Sequence, residues 1–199
     1  RLVPRPRAVE TAFAGVPSPQ AAVDLLNLAE DRAGGSITSF ELIERTAFEF
    51  VLRHAPQARD PLPQPHPWYV LMELSSQQAT GLRSVIEDIL ERALERVRSS
   101  LRERRDALCD ALREHLPEAR FVVPEGGYFL WVDLPDGDVR ALEPAARERG
   151  VVVVKGTDFL LEGGNRSLRL AYSAEPPERL REGVARLAAA YRELSAVSR

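Results

Sequence analysis

Residues 82–116 read LRSVIEDILERALERVRSSLRERRDALCDALREHL, and this stretch decides how the chain is organised. Its apolar residues recur every three or four positions, which is the period of an amphipathic helix. Neither glycine nor proline interrupts the run before Pro117. A helix of this length spans on the order of 50 Å at about 1.5 Å per residue, although helices in globular proteins average about 11–12 residues. We therefore predict a helical segment over about 79–116 that joins two separate folded units.

On the N-terminal side of that helix, strand and helix patterns alternate. Small and apolar residues predict a strand over 9–16, after which Ser18 is placed to cap a helix that reaches about Glu30. A pair of glycines then ends the helix. A second strand is predicted over 36–42.

A second helix is predicted over 45–54, and a loop over 56–67 follows because five prolines exclude regular structure there. The nearly all-apolar stretch 68–74 then predicts a strand in the centre of a sheet. The helix side chains that we expect to face inward are Phe48, Val51 and Leu52.

On the C-terminal side of the long helix, strands are predicted over 121–123 and 128–134, on either side of a turn at 124–127. A helix over about 139–149 follows, in which Pro144 is tolerated only if it falls in the first turn. The remaining predicted elements are a buried strand over 151–154, a strand over 167–173 and a final helix over about 176–194.

These patterns predict an α+β fold. We expect two small α/β-sandwich-like units, with cores at about 1–76 and 118–199, joined by the long helical segment. The separation of the two cores by one helix predicts two separate sheets rather than one shared sheet.

The composition, with 44% hydrophobic and 29% charged residues, is typical of a soluble globular protein. A net charge of −3 and arginines spread among acids argue against nucleic-acid binding. No apolar run approaches the roughly 18 residues that cross a membrane. The single cysteine, Cys109, predicts a reducing, cytoplasmic setting, and we expect it to pack rather than to react.

Three features limit the chemistry that this chain is expected to perform. His54, His66 and His115 have no partner at metal-ligand spacing, so no metal site is predicted. Lys155 is the only lysine, so lysine-dependent covalent chemistry would depend on it. The chain opens with Arg1 rather than Met, which indicates a fragment of a longer protein.

The second half of the chain contains three motifs, which are RERRDAL at 102–108, PEGGYFLW at 124–131 and NRSLRLAYS at 165–173. They resemble, in order and spacing, the "RRDAL", "P-x-GG-x-F-x-W" and "N-x-x-LRL-x-[FY]-[SA]" segments of fold-type-I aminotransferases. That family, in its class I/II group, uses pyridoxal phosphate and carries these segments in its C-terminal small domain. By this resemblance, residues 96–199 form such a small domain.

This resemblance implies roles for two residues. It places Arg169 opposite the α-carboxylate of the substrate, whose two oxygens match the planar fork of a guanidinium, and it assigns Tyr128 to the same substrate-binding site. The partner of the complete parent enzyme would be an amino acid or a 2-oxo acid. The cofactor lysine of the family lies on its large domain, and Lys155 is not expected to replace it. We therefore expect no catalytic, cofactor-binding or metal-binding residue in this chain.

The strand pattern also predicts the surroundings of Arg169. Alternation puts it on the face opposite Leu168 and Leu170. We expect an exposed side chain, or one loosely paired with an acid such as Glu125, and amino-acid binding too weak to detect. The alternative is a structural arginine that pairs with a surface carboxylate.

The first half carries a second resemblance. RPRAVETAF at 5–13, TSFEL at 38–42 and HPWYVLMEL at 66–74 are similar to stretches of the C-terminal cap or substrate domain of FAD-linked oxidases. That group contains D-lactate, glycolate and D-2-hydroxyglutarate dehydrogenases. The resemblance covers residues 1–95 and implies that the flavin-binding domain, the metal-binding histidines and the substrate arginine of the family lie outside this chain. We therefore expect neither FAD nor pyridoxal phosphate to bind.

Three hypotheses about function remain open. In the first, the chain is a fragment of an aminotransferase fused to a partial flavoprotein oxidase domain, and it is inactive alone. In the second, it is a fragment of an FAD-linked 2-hydroxy-acid oxidoreductase. In the third, it is a non-enzymatic fused or mis-assembled reading frame. The sequence does not decide the oligomeric state.

Overall fold

The computed structural model describes residues 5–197 and divides into two compact units, one ending at Arg96 and the other beginning at Val97. Each unit has its own antiparallel sheet. The predicted α+β fold, with two small sheets and a long helix, is confirmed. Among the helices of residues 5–197, none combines the length and the apolarity that crossing a membrane requires.

The first unit folds in the order strand, helix, strand, helix, strand. Its elements are β1 (Ala8–Val16), α1 (Pro19–Ala33), β2 (Ile37–Glu44), α2 (Arg45–His54) and β3 (Trp68–Ser76). Strand β3 lies between β1 and β2 and pairs with both in antiparallel fashion. The prediction of a central strand is confirmed, since Tyr69 and Leu74 are fully buried.

Helix α1 is capped at both ends by its own sequence. The side chain of Ser18 accepts a hydrogen bond from the Ala21 N–H at 3.2 Å, as the sequence predicts. Gly34 follows the helix with a φ of 55°, a left-handed conformation that glycine adopts without steric penalty. The helix buries its apolar face in the core of the first unit. That core is formed by Val16, Ala22, Leu25, Ala29, Ala33, Val70, Met72, Leu74, Leu82, Ile86 and Ile89.

Helix α2 has the predicted bounds, but the prediction of its inward face is wrong in part. None of its residues is buried, and Val51 is 49% exposed. Phe48 packs its ring 4.7 Å from that of Tyr69 and 5.5 Å from that of Phe13, measured between centroids. Leu52, one turn after Phe48, is half-buried, whereas Val51 is exposed although it is also about one turn away.

Helix α3 (Leu82–His115) has 34 residues and confirms the predicted long helix. Its first turns bury Leu82 and Ile86 in the core of the first unit. Its last turns bury Leu108 and Leu112 in the core of the second. Residues 94–99, between these turns, are exposed. One uninterrupted helix therefore contributes side chains to both cores.

The second unit packs three helices against one face of a small sheet. After α3, its elements are β4 (Arg120–Phe121), β5 (Phe129–Asp133), α4 (Val139–Glu148), β6 (Val154–Lys155), β7 (Ser167–Ala171) and α5 (Pro177–Val197). The strands lie in the order β4-β5-β7-β6, and all neighbours are antiparallel. The sheet residues that join the helices in the core are Leu130, Val132, Leu168 and Leu170.

Both edge strands of this sheet are shorter than predicted. The strand predicted over 121–123 ends at Phe121, and Val122 is 86% exposed. Of the buried strand predicted over 151–154, only Val154 lies in a strand, which continues to Lys155, and Val152 is 72% exposed. In both cases pairing ends before the partner strand does, since β4 pairs only with Val132 and Asp133 of β5 and β6 pairs only with Leu168 and Arg169 of β7. The valines in 121–123 and 151–154 have a high propensity for strands, but that propensity does not determine whether their side chains are buried.

Pro144 lies in the second turn of α4 rather than in the first turn, so the sequence-based condition on this proline is wrong. The helix begins at Val139 because Asp138 caps it, accepting a hydrogen bond from the Arg140 N–H at 2.8 Å. Pro144 has no N–H to donate to the carbonyl of Arg140. The aspartate cap therefore sets the start of the helix, and the proline is accommodated inside it.

Candidate functional site

Arg169 lies in the middle of β7, on the face of the sheet that points away from the core. Its neighbours in sequence, Leu168 and Leu170, are buried in the core on the other face, as the alternation predicts. Across the strands it is opposite Trp131 on β5 and Val154 on β6. The arginine is half-buried rather than exposed.

Two phenylalanine rings flank the guanidinium of Arg169. The guanidinium carbon Cζ is 4.1 Å from the ring centroid of Phe129 and 4.3 Å from that of Phe159. Both distances are within the range of cation–π contacts. The expectation that Arg169 is exposed or paired with Glu125 is wrong. Its partners are these two rings, and no acid within residues 5–197 forms an ion pair with it. The guanidinium packs against the rings rather than forming an ion pair, because an ion pair exposed to water contributes little stabilising free energy.

The nitrogens of the guanidinium differ in their surroundings. Nε of Arg169 is buried and has no hydrogen-bond acceptor among the described residues. The terminal nitrogens also have no hydrogen-bond partner among the described residues, and neither is fully buried. An arginine with covered Nε and open terminal nitrogens presents one edge of its planar fork. That edge is the one that binds a carboxylate through two hydrogen bonds.

Phe159 reaches Arg169 from a loop whose base is closed by glycines. A tight helical turn at Gly156–Asp158 precedes it, and the N–H of Phe159 donates to the carbonyl of Gly156 at 3.0 Å. A Cβ at Gly156 would lie 2.6 Å from Cβ of Ser167, and one at Gly164 would lie 2.6 Å from the carbonyl carbon of Gly156. Only residues without a side chain allow the two ends of the loop to approach this closely.

Phe129 begins β5, directly after the glycine turn of the "P-x-GG-x-F-x-W" motif. The turn is held from two sides. Arg105 donates from Nη1 to the carbonyl of Pro124 at 3.0 Å, and the hydroxyl of Tyr172 donates to the carbonyl of Gly127 at 2.8 Å. Burial raises the pKa of Tyr172, which therefore stays protonated as a donor. These contacts fix the position from which Phe129 extends.

The acid on the same sheet face is already occupied. Oδ1 of Asp133 accepts hydrogen bonds from Nε1 of Trp131 at 3.1 Å and from Oγ of Ser167 at 2.6 Å. Trp131 in turn places its ring edge-on to Phe159, 6.1 Å between centroids. Asp133 is thus directed at neutral donors, and the charge of Arg169 is left without a counter-ion among residues 5–197.

Tyr128, the second predicted substrate-binding residue, immediately precedes Phe129 and is 54% exposed. Its backbone carbonyl accepts a hydrogen bond from the N–H of Tyr172 at 3.0 Å. Within the described part of the chain its phenol makes no hydrogen bond with Arg169, so its substrate role stays a prediction. The sequence did not predict a site role for Phe129 or Phe159. The alternation of Phe129 with Trp131 was a usable signal, whereas a loop residue such as Phe159 has no periodicity.

The other reactive side chains are engaged elsewhere. Nζ of Lys155 lies 3.6 Å from a carboxylate oxygen of Asp158 in the same turn. Cys109 is 1% exposed in the core, and burial raises the pKa of its thiol, which agrees with its predicted packing role. Within residues 5–197, no group of three or more His, Cys, Asp or Glu side chains is placed to hold a metal ion.

A cavity of about 360 Å³ lies between the start of α4 and the end of α5. It contains two acids, but Asp138 caps α4 and Asp136 accepts a hydrogen bond from the hydroxyl of Tyr191. The residues that line it include no basic side chain. The cavity therefore offers little to an anionic ligand, and Arg169 is the stronger candidate site.

A family model described as FAD linked oxidases, C-terminal domain, matches residues 5–134, which is more than half of the chain. The match passes the boundary at Arg96 and includes β4 and β5 of the second unit.

Curated proteins similar to the chain include aminotransferases. The 2-aminoadipate transaminase of Thermus thermophilus is 36% identical over 119 residues, which are 58% of this chain and 30% of that protein. Aromatic-amino-acid aminotransferase 1 of Thermococcus litoralis is 34% identical over 107 residues, 52% of this chain and 26% of that protein. The chain spans less than a third of the length of these two relatives.

Solved structures show the same likeness. The crystal structure of LysN, an α-aminoadipate aminotransferase from Thermus thermophilus, matches with a TM-score of 0.51 and 29% identity. The match covers 64% of this chain and 39% of that one. A multiple substrate aminotransferase from Thermococcus profundus matches with a TM-score of 0.51 and 26% identity, over 64% of this chain and 38% of that one.

Proposed function

The chain belongs to the family of FAD-linked oxidase C-terminal domains, and from this premise we propose that its two units correspond to parts of different enzymes. Residues 1–95 are assigned to a partial oxidase cap or substrate domain, and residues 96–199 to the small domain of an aminotransferase. The three motifs between 102 and 173 and the similarity to aminotransferases support the second assignment. The family match continues to residue 134, so the two assignments overlap after residue 95.

The function that the geometry supports best is binding of a carboxylate by Arg169. The observation that carries it is a guanidinium held by two rings, with open terminal nitrogens and no acid partner within residues 5–197. The ligand class is an amino acid or a 2-oxo acid, since both carry a planar carboxylate next to the reacting carbon. In a complete aminotransferase, such an arginine would orient the substrate for amino-group transfer.

The oxidase half offers a weaker candidate. Arg45 is the arginine of the first unit with the most partners, and it donates to Glu49 at 2.7 Å, to Asp60 at 3.2 Å and to the hydroxyl of Tyr69. The hydrogen bond to Glu49, followed by that to Tyr69, raises the pKa of Arg45. With Nε and Nη1 occupied, this guanidinium has only Nη2 left for the carboxylate of a 2-hydroxy acid. The family match alone supports the second candidate, a fragment of an FAD-linked oxidoreductase.

The described residues do not fit pyridoxal phosphate. When bound, this cofactor acts as an electron sink for carbanion chemistry, and it requires a lysine free to form an imine. The only lysine of the chain is engaged by Asp158. We therefore propose that this chain alone binds neither pyridoxal phosphate nor FAD and is inactive without further protein. Absorbance titration checks this, and a visible aldimine band that disappears in Lys155→Ala would contradict it.

The carboxylate proposal is tested by titrating the ¹⁵N-labelled chain with sodium acetate and following arginine side-chain N–H resonances. We expect the Arg169 resonances to shift with a dissociation constant weaker than ~1 mM, because one ion pair open to water contributes little. Acetamide, which has the same shape without the charge, should produce no shift. Sodium chloride at equal ionic strength controls for screening.

Two variants distinguish acetate binding at Arg169 from a nonspecific attraction of acetate to positive charge. Arg169→Lys keeps the charge but loses the planar fork, so the acetate response, which is read in this variant from the backbone N–H resonances of β7, should weaken. Arg179→Lys, on exposed α5 surface, should leave the response unchanged. An acetate response that survives in Arg169→Lys would show that the binding site lies elsewhere.

A further inference from the structure

The two rings near Arg169 cover the faces of its guanidinium. Separations of 4.1 and 4.3 Å from Cζ to the ring centroids are in the range of a guanidinium stacked on an aromatic face. Arginine commonly stacks on aromatic faces in this way. With both faces covered, the guanidinium can be approached by a ligand only in its own plane, along the edge formed by its nitrogens.

Nε of Arg169 shows that the side chain is constrained. A buried N–H without an acceptor is unfavourable, and a freely rotating arginine would turn this donor to water or to an acid. Asp133 lies on the same sheet face, yet it accepts from Trp131 and Ser167 instead. The unsatisfied Nε therefore indicates that packing, rather than hydrogen bonding, sets the orientation of the guanidinium.

The rings are held by separate parts of the second unit. Phe129 follows the glycine turn that Arg105 and Tyr172 anchor through its carbonyls. Phe159 follows the turn at Gly156–Asp158, whose loop is closed where Gly156 meets Ser167 and Gly164. Neither ring position depends on the other, so together they define where the guanidinium can lie.

We propose that Phe129 and Phe159, here named the aromatic clamp, are positioning residues for carboxylate binding by Arg169. The clamp fixes the plane of the guanidinium and leaves its terminal nitrogens as the only approach. A carboxylate then binds edge-on, in the plane of the guanidinium, through two parallel hydrogen bonds. The inference rests on the proposed function for its ligand, while the effect of the rings on Arg169 can be measured without one.

The Nε–Hε resonance of Arg169 reports the clamp directly. In the unaltered chain it should be shifted upfield by the neighbouring rings and should exchange slowly with water, because Nε is buried. Its absence in Arg169→Lys assigns it. In Phe159→Leu, we expect the upfield shift to fall, exchange to quicken and the affinity for acetate to drop by about two- to fivefold.

Conservative and distant variants complete the test. Phe159→Tyr keeps a ring and should preserve both the shift and the acetate affinity. Phe50→Leu removes an exposed ring from α2 in the first unit and should change neither. Phe129 and Phe159 are both about half exposed, so their leucine variants should fold, and thermal unfolding verifies this. If Phe129→Leu fails to fold, Phe159→Leu carries the test alone.

The outcomes separate the clamp from the carboxylate proposal. An Nε–Hε resonance with the same shift and exchange rate in folded Phe159→Leu overturns the clamp, whatever acetate does. Absence of any acetate response in the unaltered chain overturns the proposed function, while the ring-dependent shift still measures the clamp. Loss of the ring shift with unchanged acetate affinity shows a packing contact without a positioning role, which also overturns the inference.

Discussion

Gly15 lies on β1 at a point where the ring of His66 packs directly on the backbone. A Cβ built at this position would be 2.3 Å from Cγ and Cδ2 of the imidazole. His66 itself is held by its own backbone N–H, which donates to the hydroxyl of buried Tyr69 at 3.0 Å. The absence of a side chain at one residue therefore allows the proline loop to lie against the sheet.

We predict that Gly15→Ala destabilises the first unit by about 1–3 kcal/mol, because the added methyl forces the imidazole or the strand to move. Adding His66→Ala to this variant should recover most of the loss, whereas His66→Ala alone should not stabilise the protein. Urea unfolding of the four proteins in this double-mutant cycle measures the coupling.

Gly126→Ala is the matched control for that cycle. A Cβ there meets nothing within 4 Å, and the backbone does not have a positive φ. Its effect should stay within about 0.5 kcal/mol, which is usual for exposed positions. Equal losses in Gly15→Ala with and without His66 would show that the contact with the imidazole is not the cause.

The starting residues of the helices and the lengths of the edge strands are determined in different ways in this protein. Ser18 and Asp138 each cap a helix through a side-chain oxygen, and both helices begin immediately after the cap. The edge strands β4 and β6, by contrast, are only two residues long, although β-branched residues extend beyond them. Local chemistry thus sets where these two helices begin, whereas β-branched residues alone do not set how far an edge strand extends.

At the scale of elements, we predict that Ser18→Ala destabilises the first unit by about 1 kcal/mol, because the N–H of Ala21 loses its acceptor. Ser18→Asp retains a side-chain oxygen and adds a negative charge at the helix N-terminus, so stability should be kept. Thermal or urea unfolding measures both. Ser99→Ala, on the exposed middle of α3, serves as the control and should not destabilise. Similar stabilities of Ser18→Ala and the parent would exclude a role for the cap.

The described residues 5–197 form two hydrophobic cores, and each unit contains one tryptophan. Trp68 packs against the core of the first unit, and Trp131 lies on the sheet of the second. The chain contains no further tryptophan. Fluorescence of Trp68→Phe and Trp131→Phe therefore reports on one unit at a time.

We predict that Leu74→Ala shifts mainly the unfolding transition that Trp68 reports, and that Leu187→Ala shifts mainly the one that Trp131 reports. Each leucine is at most 1% exposed in its own core, and truncation of such a residue costs about 2–5 kcal/mol. Urea unfolding of the single-tryptophan proteins measures the midpoints. Equal shifts of both transitions by either substitution would show that the chain unfolds as one cooperative body.

Features that depend on residues close together in the chain could be predicted from the sequence. The apolar period between Leu82 and Leu116 predicted α3, Ser18 predicted the start of α1, and the alternation around Arg169 predicted the face on which it lies. Tertiary structure alone decided that Phe159 reaches Arg169, that His66 packs on Gly15 and that α2 leaves Val51 exposed. The physical reason is that periodicity specifies the direction in which a side chain points. What it meets there depends on how distant strands and loops pack together.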